Sequence, residues 1–230
     1  MNELVLSSAT IGVVLSIAAY EAGVFLKKKT NSPIFNPLLV SIVLVMLVLV
    51  VFHVDYESYN SSAKYLSYLL TPATVSLAIP LYQQLELLKK NFVAIMLGIL
   101  SGVLTSAGVI LAMSILFGLS HEEYVTLLPK SITTAIGMGV SEELGGYVTI
   151  TVAVIIVTGI LGNIIGEMVC KVFRIKNPIS RGLALVTSAH AIGTARAMEM
   201  GEVEGAMSSL AIVVAGLCTV VGASVFAMLW

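Results

Sequence analysis

Charged side chains are scarce in this 230-residue sequence: Asp, Glu, Lys and Arg together make up 11% of it. A soluble domain carries about 25%, so the chain lacks the polar surface needed to cover a water-facing exterior. Neither sign of charge dominates. The 12 Lys and Arg against 13 Asp and Glu leave a net charge of −1, which excludes the basic footprint of a nucleic-acid-binding protein. Cysteine is nearly absent. Cys170 and Cys218 lie within or at the end of apolar runs, with no CxxC spacing and no partnering histidines. They read as small hydrophobic filler rather than a disulfide or a zinc site. No cofactor or metal is expected. No nucleophile turn of the GxSxG kind is visible, and Ser188 and His190, two residues apart, would not face each other on a helix. The chain is therefore not read as an enzyme.

Apolar residues are abundant instead, at 58%, and the mean hydropathy is +1.02. At roughly 20 residues per membrane span, there is room for about eight spanning or half-spanning segments with short loops. The expected fold is all-α: a polytopic transmembrane helical protein forming a single integral membrane domain over residues 1–230. Five strong apolar runs cover residues 4–26, 37–52, 92–117, 148–170 and 206–230. The first is not read as a signal peptide. No basic residue precedes it, it has no A-x-A site, and Lys27, Lys28 and Lys29 follow it. It reads as a transmembrane helix with its lysines in the cytoplasm.

Three segments of similar length carry polar residues and helix breakers: residues 65–85, 127–146 and 182–205. Lipid cannot hydrogen-bond an opened backbone, so such segments persist only inside protein or beside a water-filled cavity. The basic loop containing Lys171, Arg174, Lys176 and Arg181 constrains the topology. If the second segment enters from outside and returns, this loop falls in the cytoplasm, as the positive-inside rule prefers. A full crossing with a half-unwound helix is the alternative.

The second and third interrupted segments resemble each other. Ala135-Ile136-Gly137 is followed by Glu143 and Gly145; Ala191-Ile192-Gly193 is followed by Glu199 and Gly201. A fainter copy, Ala78-Ile79-Pro80 with Glu86, precedes them. Each stronger copy follows one full helix, and under the re-entrant topology the two units, about 92–146 and 147–205, point oppositely. That is the inverted-repeat logic of secondary transporters, with the site near the midplane. Gly98 and Gly102 form one GxxxG and Gly162 and Gly166 another, a pattern that favours close helix packing. Asn163 beside the second is a helix-gluing amide or part of a cavity wall.

An ionisable residue in a membrane segment is a functional candidate by default. Lys130 is expected near the outer mouth of the second segment. Arg196 offers a fork for a carboxylate, with a structural ion pair to Glu199 as the alternative. His190 and Glu199 are candidates for proton coupling. Ser131, Thr133, Thr134, Ser188 and Thr194 supply hydroxyls, while Gly137, Gly139 and Gly193 are expected to let the chain unwind. Helix starts beside these breaks attract small anions. Thr74 and Ser76 in the first interrupted segment are candidates for a third wall. Glu142 and Glu143 are expected at a water-facing end.

Thr71-Pro72-Ala73-Thr74-Val75-Ser76-Leu77-Ala78-Ile79-Pro80-Leu81-Tyr82, Lys130-Ser131-Ile132-Thr133-Thr134 and His190-Ala191-Ile192-Gly193-Thr194-Ala195-Arg196 resemble the motifs of the LrgB/CidB family of bacterial antiholin-like membrane proteins. The resemblance covers essentially the whole chain. A similar region forms the C-terminal part of plant plastid glycolate/glycerate translocators. Family members often carry proline where Ala135 stands and serine where Ala189 stands. The resemblance implies a multi-pass protein of the bacterial cytoplasmic membrane, a small holin-like partner of LrgA/CidA type, and two functions. One is transport of small monocarboxylates such as pyruvate, glycolate or glycerate. The other is regulation of murein hydrolase activity, autolysis and programmed cell death. The broken polar segments favour the carrier, with Lys130, Ser131, Thr133, Thr134, His190, Gly193, Thr194 and Arg196 as the binding residues. A homodimer is possible on small-residue helix faces.

Overall fold

Helices account for all the regular secondary structure among the described residues, as the apolar runs require. A computed structural model of the chain describes residues 10–30, 35–69, 72, 75, 76 and 78–230. Contacts divide the chain into two units, Met1–Ser76 and Leu77–Trp230.

In the first unit, α1 (Ile11–Thr30) and α2 (Pro37–Val51) pack together, followed by α3 (Tyr56–Ala63) and a 3₁₀ turn (Lys64–Leu69). Asn36 and Asp55 cap α2 and α3 by accepting backbone N–H bonds in the first turn. The Ser58 backbone N–H holds the Asp55 carboxyl below its ordinary pKa. At the start of α1, where helix N–H groups lack internal partners, Gly12 donates to Ser62 Oγ at 2.8 Å. Of the first interrupted segment, Thr71 and Thr74 lie outside the described residues, and Ser76 is exposed.

In the second unit, short helices α4 (Ala78–Gln83) and α5 (Leu85–Lys90) lead into α6 (Phe92–Phe117). Then come α7 (His121–Leu127), α8 (Thr134–Glu143), α9 (Val148–Val172), α10 (Pro178–Met200) and α11 (Glu202–Ala227). Helices α6, α9 and α11 are long and apolar enough to cross a membrane.

Between these long helices the chain makes two helical hairpins. The first has α7 and α8 as arms and residues 128–133 as its tip. Its polarity follows from contacts. Tyr124 Oη at its entry donates to Phe226 O near the end of α11, at 2.9 Å, while Ser131 at the tip lies 3.2 Å from Ser106 in the middle of α6. The second arm returns. Ser141 bonds Thr151 near the start of α9, and Thr151 also bonds Thr126 of the first arm.

The second hairpin lies within α10. Its helix is interrupted at Ala189 (φ −136°, ψ 18°) and His190 (φ 42°, ψ −133°). The first arm runs parallel to α6: a Cβ on Gly98 would meet Leu183, and one on Gly102 would lie 2.6 Å from Thr187 Oγ1. The second arm turns back, so that Gly193 lies against the Leu185 carbonyl and Thr194 Oγ1 sits 2.8 Å from Ser208 Oγ of α11. The hairpins therefore enter from opposite ends of the unit, and their tips approach its middle.

This arrangement corrects two expectations. Lys130 is not at a mouth, because the entering arm begins at His121 rather than near Leu127; Lys130 sits at the tip. Gly137, Gly139 and Gly193 do not unwind either. All three are helical, and the breaks fall at residues 128–133 and at Ala189 and His190. Gly137 and Gly193 serve close approach instead: a Cβ on Gly137 would strike Ile155, and one on Gly193 the Leu185 carbonyl.

The two ends differ in charge. Lys89, Lys90, Lys171, Arg174, Lys176 and Arg181 all fall at the end where α6 and α11 begin and α9 finishes. Glu122, Glu123, Glu142 and Glu143 lie toward the other, where the last two are exposed as expected.

Gly193→Val tests the paired arms. The added methyls cannot fit against the Leu185 carbonyl, and overpacking of this kind costs about 1–3 kcal/mol. The purified variant should unfold several degrees lower than wild type in a detergent thermal melt. An unchanged transition would mean that the arms are not in contact.

Candidate functional site

A cavity of about 620 Å³ runs between α6 and the first arm of α10. It extends from Asn91 and Asn177, at the basic end, to Lys130, Ser131 and Ser188 in the middle of the unit. Small residues on α6 make the space: Ala94, Gly98, Ser101, Gly102, Thr105 and Ser106 line it. Across from them stand Ser180, Ala184, Thr187 and Ser188 of α10. Among the described residues its lining carries hydroxyls in number, one cation and no carboxylate.

That cation is Lys130. Its Nζ donates to Ser131 Oγ at 2.8 Å and to Ser106 Oγ at 3.4 Å. Neutral hydroxyls hold the ammonium without cancelling its charge. An ammonium has three donors, so a third remains for a ligand in the cavity. A carboxylate there would meet one positive charge and the hydroxyls of Thr105 and Ser180, while those of Ser101, Thr187 and Ser188 already donate to helix carbonyls. Both returning arms begin at the hairpin tips, after Thr133 and His190, which places helix N-termini on this side of each arm.

His190 forms the other tip. It is 5% exposed, and with a carbonyl as partner its Nε2–H donates to Ile155 O at 3.0 Å. Its φ of 42° is a conformation that L side chains rarely adopt, so local packing must hold it. Thr194 donates to the His190 carbonyl at 3.1 Å, and Ala189 packs where Gly162 leaves room. Asn163 donates to Ile192 O at 3.0 Å, tying α9 to the first turn of the returning arm. Thus His190, Gly193, Thr194 and Asn163 build the second tip, next to the cavity rather than among its lining residues.

Arg196 is placed differently from a free carboxylate fork. One guanidinium nitrogen pairs with Glu167 of α9; another donates to Glu199 at 2.6 Å. Glu167 also pairs with Lys171 at 2.8 Å. The network fastens the returning arm of the second hairpin to α9, and Arg196 does not line the Lys130 cavity. Thr133 and Thr134 stand where the first returning arm begins, also outside the lining. Sequence reasoning missed Glu167. The signal was available: it is the one acidic residue in the apolar run 148–170, and a carboxylate there needs a partner. It also missed the α6 hydroxyls Ser101, Thr105 and Ser106, which sit in an otherwise ordinary apolar helix.

The comparisons with known proteins agree with one another. The model of the LrgB-like family matches residues 16–229. The Antiholin-like protein LrgB of Bacillus subtilis (strain 168) is 40% identical over 223 residues, which is 96% of this chain and 96% of that protein. Proteins of the same name from Bacillus mycoides (strain KBAB4) and Bacillus cereus (strain B4264) are each 40% identical over 211 residues, 91% of this chain and 92% of theirs. No solved structure matches the chain. The chain belongs to the LrgB-like family, and its apolar helices are those of a membrane protein.

A double-mutant cycle on Arg196→Met and Glu167→Gln tests the ion-pair network. The pair is partly exposed, so its coupling should fall between that of a surface pair and a buried one, at about 1–3 kcal/mol. Additive losses of stability across the cycle would show that the two residues do not interact.

Proposed function

We propose that this chain works as an antiholin-like membrane protein of a bacterial cytoplasmic membrane, together with a small holin-like subunit of LrgA/CidA type. The name shared by relatives that are 40% identical over nearly the full chain supports this reading. In it, the protein restrains murein hydrolase activity and autolysis. Helices α6, α9 and α11 cross the membrane with the basic end in the cytoplasm, and the two hairpins re-enter from opposite sides.

A second reading, at the level of molecular action, is favoured by the Lys130 cavity: the protein binds and carries a small monocarboxylate of the pyruvate, glycolate or glycerate type. The single observation behind it is an ammonium group held by two serine hydroxyls at the inner end of a hydroxyl-lined cavity with no carboxylate among its described wall residues. A pore-forming or purely regulatory protein has no need of that arrangement, and a lysine in the hydrocarbon costs roughly 2.5–3.5 kcal/mol on insertion scales. The two opposed broken hairpins resemble the paired units around which carriers alternate access. The two readings join if restraint of lysis follows from carboxylate flux. Neither involves a catalytic step.

Proteoliposomes containing the purified protein separate the two readings. Labelled pyruvate should accumulate against a gradient in the wild type, and Lys130→Gln should reduce uptake at least tenfold while leaving a folded, extractable protein. Absence of uptake by the wild type would remove the carrier reading, and uptake unchanged by Lys130→Gln would remove Lys130 as its site. Retained control of lysis in a strain carrying that variant would leave the antiholin reading standing alone. The orientation is checked by Lys176→Cys in a background lacking the native cysteines. An impermeant thiol reagent should label it only after the membrane is opened; labelling of intact cells would reverse the topology.

A further inference from the structure

We infer that the Lys130 site also takes carboxylates bearing an apolar chain, of the medium-chain fatty acid type, with the chain lodged in a second cavity. The inference rests on the carrier reading of the same site and extends its substrate class. The second cavity, of about 360 Å³, lies on the other flank of the exposed Ala184–Ser188 ridge of the first arm of α10, between that arm and α9. It shares Lys130, Ala184 and Ser188 with the hydroxyl-lined cavity, so the two meet at the cation.

The chemistry of its walls is different. Apart from Lys130, Thr158 and Ser188 at the inner end, it is lined by apolar side chains and by Gly162 and Gly166. Among the described residues no carboxylate lines it, and Lys130 is its one formal charge. Along α9 it runs from Thr158 to Cys170, a distance of about 18 Å at the helical rise. A two- or three-carbon acid held at Lys130 would leave nearly all of that length unused. A molecule with an anionic head and an unbranched hydrocarbon tail complements both parts.

The outer rim is formed by Leu161 and Ile165, which are 52% and 41% exposed. Both belong to a helix long and apolar enough to cross a membrane. In the proposed orientation this rim faces hydrocarbon, so such a molecule enters from the membrane with its tail already in an apolar medium. The GxxxG of α9 sets the floor of the groove: Gly162 and Gly166 seat Ala189 and Leu185 of α10, and the groove runs beside that close contact. Burying each further methylene should strengthen binding roughly fourfold.

The test measures binding and transport separately. Equilibrium dialysis of labelled octanoate against the full-length protein in nanodiscs, corrected for empty nanodiscs, should give saturable binding. Unlabelled fatty acids should compete more strongly with each added methylene from butanoate to octanoate. Ile165→Trp, which fills the rim, should weaken octanoate binding at least tenfold and flatten that series while pyruvate uptake stays at the wild-type level. Val169→Phe narrows the groove from within and should do the same if the tryptophan variant fails to fold. Octanoate binding equally tight in wild type and in a folded variant would overturn the inference, as would a series with no dependence on chain length. Octanoate binding without pyruvate uptake would remove the carrier reading and keep the site. Pyruvate uptake without octanoate binding would do the reverse.

Discussion

An ammonium group at the tip of a hairpin, far from either end of an apolar protein, has to be solvated by something. In this chain the demand falls on Lys130, and much of the surrounding structure follows from how it is met. Ser131 supplies one oxygen from the hairpin itself, and Ser106 supplies another from the middle of α6. Both are neutral, so the charge survives. A carboxylate partner would have stabilised the lysine and cancelled the site, since a buried pair leaves no field for a ligand. The remaining solvation must come from the cavity, which therefore has to stay open toward water or hold an anion.

The opened backbone at the tips sets a second demand, and close packing meets it. The first arm of α10 lies between two GxxxG surfaces. Gly98 and Gly102 of α6 receive Leu183 and Thr187, while Gly162 and Gly166 of α9 receive Ala189 and Leu185. This contact holds His190 in a backbone conformation that costs of order 1–3 kcal/mol. The strain persists because Ile155, Thr194 and the glycine faces surround the residue on several sides. At the basic end, Arg196, Glu167, Glu199 and Lys171 tie the returning arm to α9. The middle of the unit is thus a place of half-buried charge and strain, clamped by neutral packing on one side and ion pairs on the other.

Much of this was legible in the sequence, and the reasons are specific. The apolar run at residues 92–117 is the helix Phe92–Phe117, because no polar or breaking residue interrupts it. The repeated Ala-Ile-Gly marks equivalent places: both copies fall in the first turn of a returning arm, and Glu143 and Glu199 fall near the ends of those arms. The breaks themselves were misplaced. In sequence, glycine reads as the residue that opens a helix, yet the chain opens at Pro129 and its neighbours and at Ala189 and His190, where tertiary contacts rather than propensity decide. Pairing across long separations was also hidden. The Arg196–Glu199 pair, three residues apart, was legible as the structural alternative, whereas only the turn of α10 brings Glu167 to Arg196. For the same reason Lys130 could be identified as unusual but not placed, since its depth depends on where the entering arm begins.

The tip of the first hairpin lies against the middle of α6, so that Lys130 enters a cavity shared with α10. The most direct measurement is disulfide cross-linking of the Ser106→Cys, Ser131→Cys double variant in a background lacking Cys170 and Cys218. The two serine oxygens lie 3.2 Å apart, which brings the substituted thiols close enough for a bond with modest side-chain rotation. Cross-linking should be near-complete under mild oxidant in the membrane-embedded protein, detected by protease cleavage between the two positions and mobility on a non-reducing gel. Free thiols at both positions in folded protein would contradict it, because the hairpin tip would then lie away from α6 and the cation would have no cavity to serve.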